Sequence, residues 1–143
     1  NFVGAVILVA LFQLGGVPKG ATGEYFATIA AGKMGGTASA LFFKGMLCNM
    51  LVCLAVWCCT KMKTESGKLI MIFWCIYIFM ACGFEHSIAN MSVMAVGLLN
   101  RAGVEGVSIA GYFHNLLWVT LGNIAGGALL VAFPYYIIQK EKK

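Results

Sequence analysis

The sequence contains no aspartate at all, and charged residues fill only 10% of its 143 positions. Soluble domains carry roughly 25%. So little charge leaves no surface to present to water, and a mean hydropathy of +0.88 makes this a membrane protein by composition. Basic stripes are missing too. The ten Lys and Arg behind the net charge of +5 are spread along the chain, which excludes nucleic acid as the meaning of that charge. There is no Cys-x-x-Cys. Most of Cys48, Cys53, Cys58, Cys59, Cys75 and Cys82 lie inside apolar runs, where a thiol behaves as a small hydrophobe, so a secreted disulfide scaffold is excluded. The adjacent pair Cys58-Cys59 cannot build a tetrahedral metal site alone. No basic segment precedes the first apolar run and no cleavage-site pattern follows it, so it does not read as a signal peptide.

What is present is four charge-poor apolar runs: about 1–17, ended by Pro18, then 38–60, 69–99 and 112–138. A membrane helix needs roughly 20 apolar residues. The second and fourth runs fit, and the first is short and looks cut off. The third would be roughly 46 Å long at 1.5 Å per residue, against a hydrocarbon core of about 30 Å. Near its middle stands Gly83-Phe84-Glu85-His86-Ser87, with two ionisable groups side by side. Either this is a tilted helix with a buried, paired glutamate, or it is two half-helices joined by an unwound stretch near 83–87. The second reading is favoured, and such backbone is tolerated only where protein buries it or water lines it.

Lys61, Lys63 and Lys68 after the second run lie on the same side as the tail lysines Lys140, Lys142 and Lys143. The other side holds Lys19, Lys33 and Arg101, with Lys44 just inside the second run. The positive-inside rule makes the lysine-rich side cytoplasmic, and the C-terminus with it. Residues 1–10 can be laid on 123–132 with matches at Asn, Gly, Leu, Val and Ala. Apolar helices share letters cheaply. By the charge count, however, the two segments run in opposite directions, as an inverted repeat requires, and two spans are then expected ahead of Asn1.

Glu85 and His86 are the first functional candidates, because intramembrane ionisable groups cost on the order of 3 kcal/mol. Histidine suits a conduit, since its pKa near 6.5 lets it exchange a proton at physiological pH. Burial and a bound anion pull that pKa in opposite directions. Glu85 suits a brace for backbone N–H groups at the break, and Ser87 and Asn90 are secondary donors. A satisfied core histidine is the alternative. Lys33 sits in a glycine-rich stretch, 31–36, where it is either a snorkelling anchor or an anion-steering group. Asn49 and Asn123 read as glue between helices, and Gly122 to Gly127 as close packing. Phe79, seven residues before His86, narrows a conduit on the same helical face or simply packs.

Three segments together carry a family resemblance. Gly83-Phe-Glu-His-Ser-Ile-Ala-Asn-Met91 closely resembles the signature of the formate/nitrite transporter family. Leu47-Cys-Asn-Met-Leu-Val-Cys-Leu-Ala-Val-Trp57 is similar to its fourth span, and Val119-Thr-Leu-Gly-Asn-Ile-Ala-Gly-Gly127 to its sixth. The resemblance implies an all-α membrane protein, an aquaporin-like inverted-repeat bundle with four of six spans present and the third of these broken. It implies a pentamer in the bacterial inner membrane, each protomer with its own pore for hydrosulfide, formate or nitrite, acting as a channel and not as an enzyme. His86 would be the central pore histidine. Phe79 and Val52 would belong to the two constrictions, Lys33 would be the vestibule lysine, and Asn49 and Asn123 polar pore or vestibule residues. The family's first two spans would be missing or carried on another chain. No cofactor, metal or nucleic acid is implied, only a small anion and the bilayer.

The cysteine-rich spans suit a reduced interior and tilt the choice of anion toward hydrosulfide. The rival is a membrane redox or haem subunit using His86 and His114. The depths expected for the two histidines differ by about half a bilayer, roughly 15 Å, which is too far for one iron. Glu85-His86 also lacks the His-Glu-x-x-His order of a zinc protease.

Overall fold

In a computed structural model, residues 1–101 and 103–140 are described; the tail residues Lys142 and Lys143, counted above for orientation, lie outside them. The described chain is all helix and turn, with no strand. It forms α1 (Phe2–Leu14), α2 (Ala21–Met34), α3 (Ala38–Lys61), α4 (Glu65–Ala81), α5 (Ser87–Leu99) and α6 (Ile109–Lys140). Two of these, α3 with 24 residues and α6 with 32, are long and apolar enough to cross a membrane. Large apolar side chains face outward, among them Leu14, Leu69, Phe73, Leu117 and Phe133, while Glu85, Asn90, Asn115 and Asn123 are buried. That inversion is what hydrocarbon asks for, because polar groups need protein partners there and apolar ones do not.

The helix ends follow local chemistry. The first helix stops at Leu14, not at Pro18. Gly16 takes φ +67, its N–H donates to the Gln13 carbonyl, and the Val17 N–H donates to the Phe12 carbonyl. This is a Schellman cap, which needs a residue in the left-handed region and so ends the helix at a glycine before the proline is reached. The N-termini of α3, α4 and α6 are capped by hydroxyls. Thr37, Thr64 and Ser108 accept from the N–H groups of Ala40, Gly67 and Gly111, as Ser and Thr do at this position. The second helix lies outside the four apolar runs, and the glycine-rich stretch begins only in its last turn. Within α6, Gly126–Ala132 is wound as π-helix.

The chain divides into two compact units. The first comprises the described parts of Asn1–Ala40 and Ser87–Trp118. Its core gathers Ala30, Met34, Met94, Val107, Tyr112 and Leu116. Here α2 lies directly on α5: a Cβ on Gly97 would collide with the Ala30 side chain and stand 2.8 Å from the Phe26 carbonyl oxygen. Fully buried alanines, Ala27 and Ala30, give α2 the flat face that this approach needs.

The second unit comprises Leu41–His86 and the described part of Val119–Lys143. In it α3 and α6 touch backbone to backbone. A Cβ on Gly122 would collide with the Phe42 carbonyl, one on Gly126 with the Met46 carbonyl, and one on Gly45 would stand 2.8 Å from the Val119 carbonyl oxygen. Small residues four apart on one helix, opposite carbonyls four apart on the other, are how membrane helices gain packing without a hydrophobic effect.

The run 69–99 is not one helix. The fourth helix ends at Ala81, the fifth begins at Ser87, and 82–86 lie between them. Gly83 has φ +64. The Gly83 N–H donates to the Met80 carbonyl at 3.1 Å, and the Phe84 N–H to the Phe79 carbonyl at 2.9 Å. This is a second Schellman cap, and it satisfies carbonyls that an interrupted helix would otherwise leave bare. A Cβ at Gly83 meets nothing within 4 Å, so Gly83→Ala brings left-handed strain alone, about 1–2 kcal/mol. Thermal unfolding in detergent should place Gly83→Ala below the parent and Gly83→Asn between them. An alanine variant as stable as the parent would show that this cap contributes nothing.

Candidate functional site

In the second unit the break is tied down by its own backbone. The Glu85 N–H donates to the Lys44 carbonyl of α3 at 3.4 Å. The Glu85 carbonyl accepts from Asn123 Nδ2 of α6 at 3.0 Å, and the same nitrogen donates to the Gly45 carbonyl at 2.8 Å. Asn49 Nδ2 in turn donates to the Asn123 carbonyl at 2.6 Å. Asn123 is buried, and its two donor hydrogens serve two carbonyls, one on α3 and one in the break. The sequence reading made Asn49 and Asn123 interhelical glue and Glu85 a brace. The residues do come together: the Glu85 peptide N–H and carbonyl are bonded to α3 and to Asn123, with Asn123 as donor to the break.

His86 follows directly, half-buried. Its ring stacks on Phe79 with centroids 6.0 Å apart and planes at 28°. The sequence argument for this pair, two turns along one helix, does not hold, because α4 stops five residues before His86. The rings meet because the chain turns at Gly83 and comes back along the last turn of α4. An imidazole set against an aromatic face at a helix break can donate or accept a hydrogen bond at one ring edge. It can also carry a proton. Val52 lies on α3, half-buried. It lines a groove of about 460 Å³ with Cys53, Val56, Gly127 and Tyr135.

In the first unit, Lys33 sits in the last turn of α2 and not in a loop. The carbonyl of Lys33 accepts from Asn115 Nδ2 at 2.9 Å, and Asn115 Oδ1 accepts from Asn90 Nδ2 at 2.9 Å. Asn90 and Asn115 are both fully buried, with exposures of 1% and 0%. His114 Nε2 lies 3.2 Å from the Gly36 carbonyl, and the Tyr112 hydroxyl donates to the Met91 carbonyl at 3.1 Å. Sequence reasoning passed over Asn115. A lone asparagine inside an apolar run was the available signal, the same signal that drew attention to Asn49 and Asn123. Among the described residues no group of three His, Cys, Asp or Glu side chains is arranged to hold a metal.

Comparison with known proteins is consistent across sequence and structure. A family model described as formate/nitrite transporter matches residues 1–137. The nitrite transporter NirC of Escherichia coli K12 is 42% identical over 140 residues, covering 95% of this chain and 50% of that protein. Among solved structures, an FNT family ion channel superposes with a TM-score of 0.88 at 38% identity, over 96% of this chain and 55% of its own. A pentameric formate channel with formate bound gives the same TM-score at 28% identity, over 97% of this chain and 62% of its own. The chain therefore spans about half the length of the curated relatives it matches.

Proposed function

The chain belongs to the formate/nitrite transporter family and has its all-α membrane fold, and from that premise we propose that it supplies the histidine-bearing part of a channel for small monovalent anions of weak acids. The single observation that carries this reading is the break in the chain at 82–86. Apolar helices flank it, a glycine cap closes it, Asn123 and the Lys44 carbonyl hold its backbone, and it ends on His86. A fold that only needed to span lipid would gain nothing from placing a glutamate and a histidine there.

In this reading Lys33 raises the local concentration of an anion A⁻ by steering. Crossing an apolar constriction bare would cost the desolvation of a full charge. Phe79 and Val52 narrow the path at two points, and His86 shares a proton with the anion, so that it passes as HA or as A⁻ paired with imidazolium. Asn49 and Asn123 hold the polar backbone around the path, that of Glu85 included, and Asn90 braces the Asn115 amide. Nitrite stands first among the anions, by the 42% identity to a nitrite transporter. Formate follows, by the formate-bound structural neighbour, and hydrosulfide rests on the cysteine-rich spans alone. The same neighbour supports a pentamer, the lysine distribution supports a cytoplasmic C-terminus, and the Escherichia coli relative supports placing the chain in a bacterial inner membrane.

Liposome flux through the assembled channel that contains this chain, measured side by side with nitrite, formate and hydrosulfide, tests the reading. It predicts saturable, protein-dependent flux of at least one of them and none of sodium. Flux of none of the three would contradict it. The lysine has its own test. Lys33→Ala should lower flux several-fold at ~10 mM salt, where the Debye length is ~30 Å, and by under about twofold at 1 M, where it is ~3 Å. A loss independent of salt would mean that Lys33 is structural.

A further inference from the structure

The end of α2 is held at three successive points by the start of α6. The last four carbonyls of any helix lack intrahelical partners, and where water is scarce protein must supply them. Asn115 supplies the Lys33 carbonyl at 2.9 Å. His114 meets the Gly36 carbonyl at 3.2 Å. Between them Met34 takes the Ser108 N–H on its sulfur at 3.4 Å and packs against Gly111, where a Cβ would stand 2.8 Å from the Met34 Cβ.

The Asn115 contact is directional. Its Oδ1 is occupied by the Asn90 amide, so its Nδ2 must face the Lys33 carbonyl, and a flip would set oxygen against oxygen. One buried side chain therefore joins α2, α5 and α6 in a single orientation. Packing alone would not need a polar group at a fully buried position, since burying an amide is unfavourable unless its bonds are made. A leucine would fill the same space. The residue held at the other end of this bond is the one charged group in the last turn of α2.

We propose that Asn115 is a positioning residue for Lys33. Through the Lys33 carbonyl it fixes the last turn of α2, and with it the direction from which the flexible lysine stem presents its ammonium group, while His114 holds the backbone just beyond. The functional consequence rests on the reading of Lys33 as the anion-collecting group; the positioning itself does not.

The test labels the purified protein in proteoliposomes with a small amine-reactive reagent. Mass spectrometry then reads the initial rate at Lys33 relative to Lys19 in the same molecules. Asn115→Leu should change this ratio about threefold or more, because the Lys33 carbonyl and the buried Asn90 amide each lose a hydrogen bond. Its flux should lose salt dependence as Lys33→Ala does. Adding it to Lys33→Ala should cost little further, as expected of two changes acting through one group. His114→Gln, which keeps a donor near the same place, should leave the ratio at the parent value, and His114→Ala should shift it.

A ratio unchanged in Asn115→Leu overturns the proposal. If that variant fails to fold, the half-buried His114 pair decides, and equal ratios in His114→Ala and His114→Gln overturn it. A shifted ratio together with a loss of flux in Lys33→Ala that is equally large at low and high salt upholds the positioning and removes the anion-collecting role of Lys33.

Discussion

Gly126→Val is expected to leave little folded protein in detergent extracts, and Gly126→Ala to leave a protein that unfolds far below the parent. At this position α6 lies against α3 so closely that a Cβ would collide with the Met46 carbonyl and come within 2.9 Å of the Met46 Cα. These are backbone atoms, which cannot rotate aside as a side-chain end can. Overpacking into a side chain costs about 1–3 kcal/mol, and separating two backbones costs the contacts on both sides as well. Asn123 makes the consequence larger. It lies one turn before Gly126 and donates to the Gly45 and Glu85 carbonyls, so a displaced α6 also releases the break. Gly4 and Gly32, each with nothing within 4 Å of a built Cβ, are the controls. Alanine there should be neutral or stabilise by a few tenths to about 1 kcal/mol, since a helix-interior glycine is itself unfavourable. Thermal unfolding of the four variants checks this, and a Gly126→Val protein as stable as the parent would refute the close contact.

The parts of this fold that could be read from the sequence are those set by length and by the cost of charge in lipid. The second and fourth apolar runs became α3 and α6 because such runs have few other stable arrangements in a bilayer. The overlong third run, with Gly83, Glu85 and His86 at its centre, pointed to an interruption for the same reason. The parts that escaped are those set by tertiary contact. The sequence of α2 is rich in alanine, glycine and threonine and has no apolar stripe, so periodicity gives it no signal. Its alanines permit a helix, and the packing of Ala27 and Ala30 on α5 at Gly97 fixes it. Nothing in the letters of 126–132 distinguishes a π turn from an α turn. Proline is the louder signal for the end of α1, while the Gly15-Gly16 cap acts earlier. At the site, the ionisable pair and two asparagines could be picked out by polarity alone. Asn115 carries the same signal of polarity, but what it holds follows only once α2 is known to end beside it.

The central claim is that His86 takes part in passage by exchanging a proton. His86 stands at the end of the break, its ring on Phe79 at 6.0 Å, where a permanent charge is costly and a titratable one is useful. Neutral imidazole can donate a hydrogen bond to an anion, and once protonated it offsets the anion's charge. His86→Asn keeps polarity and approximate size and removes the proton. The variant should assemble and unfold close to the parent, which separates the chemical role from a structural one. The deciding measurement is anion flux against pH in proteoliposomes for the native protein and His86→Asn. The two are compared at equal concentrations of the undissociated acid, so that titration of the substrate itself cancels. Native flux should change by about threefold or more across the imidazole range around pH 6–7, while the His86→Asn curve stays flat there; two superimposable curves would make His86 a packing residue and contradict the account.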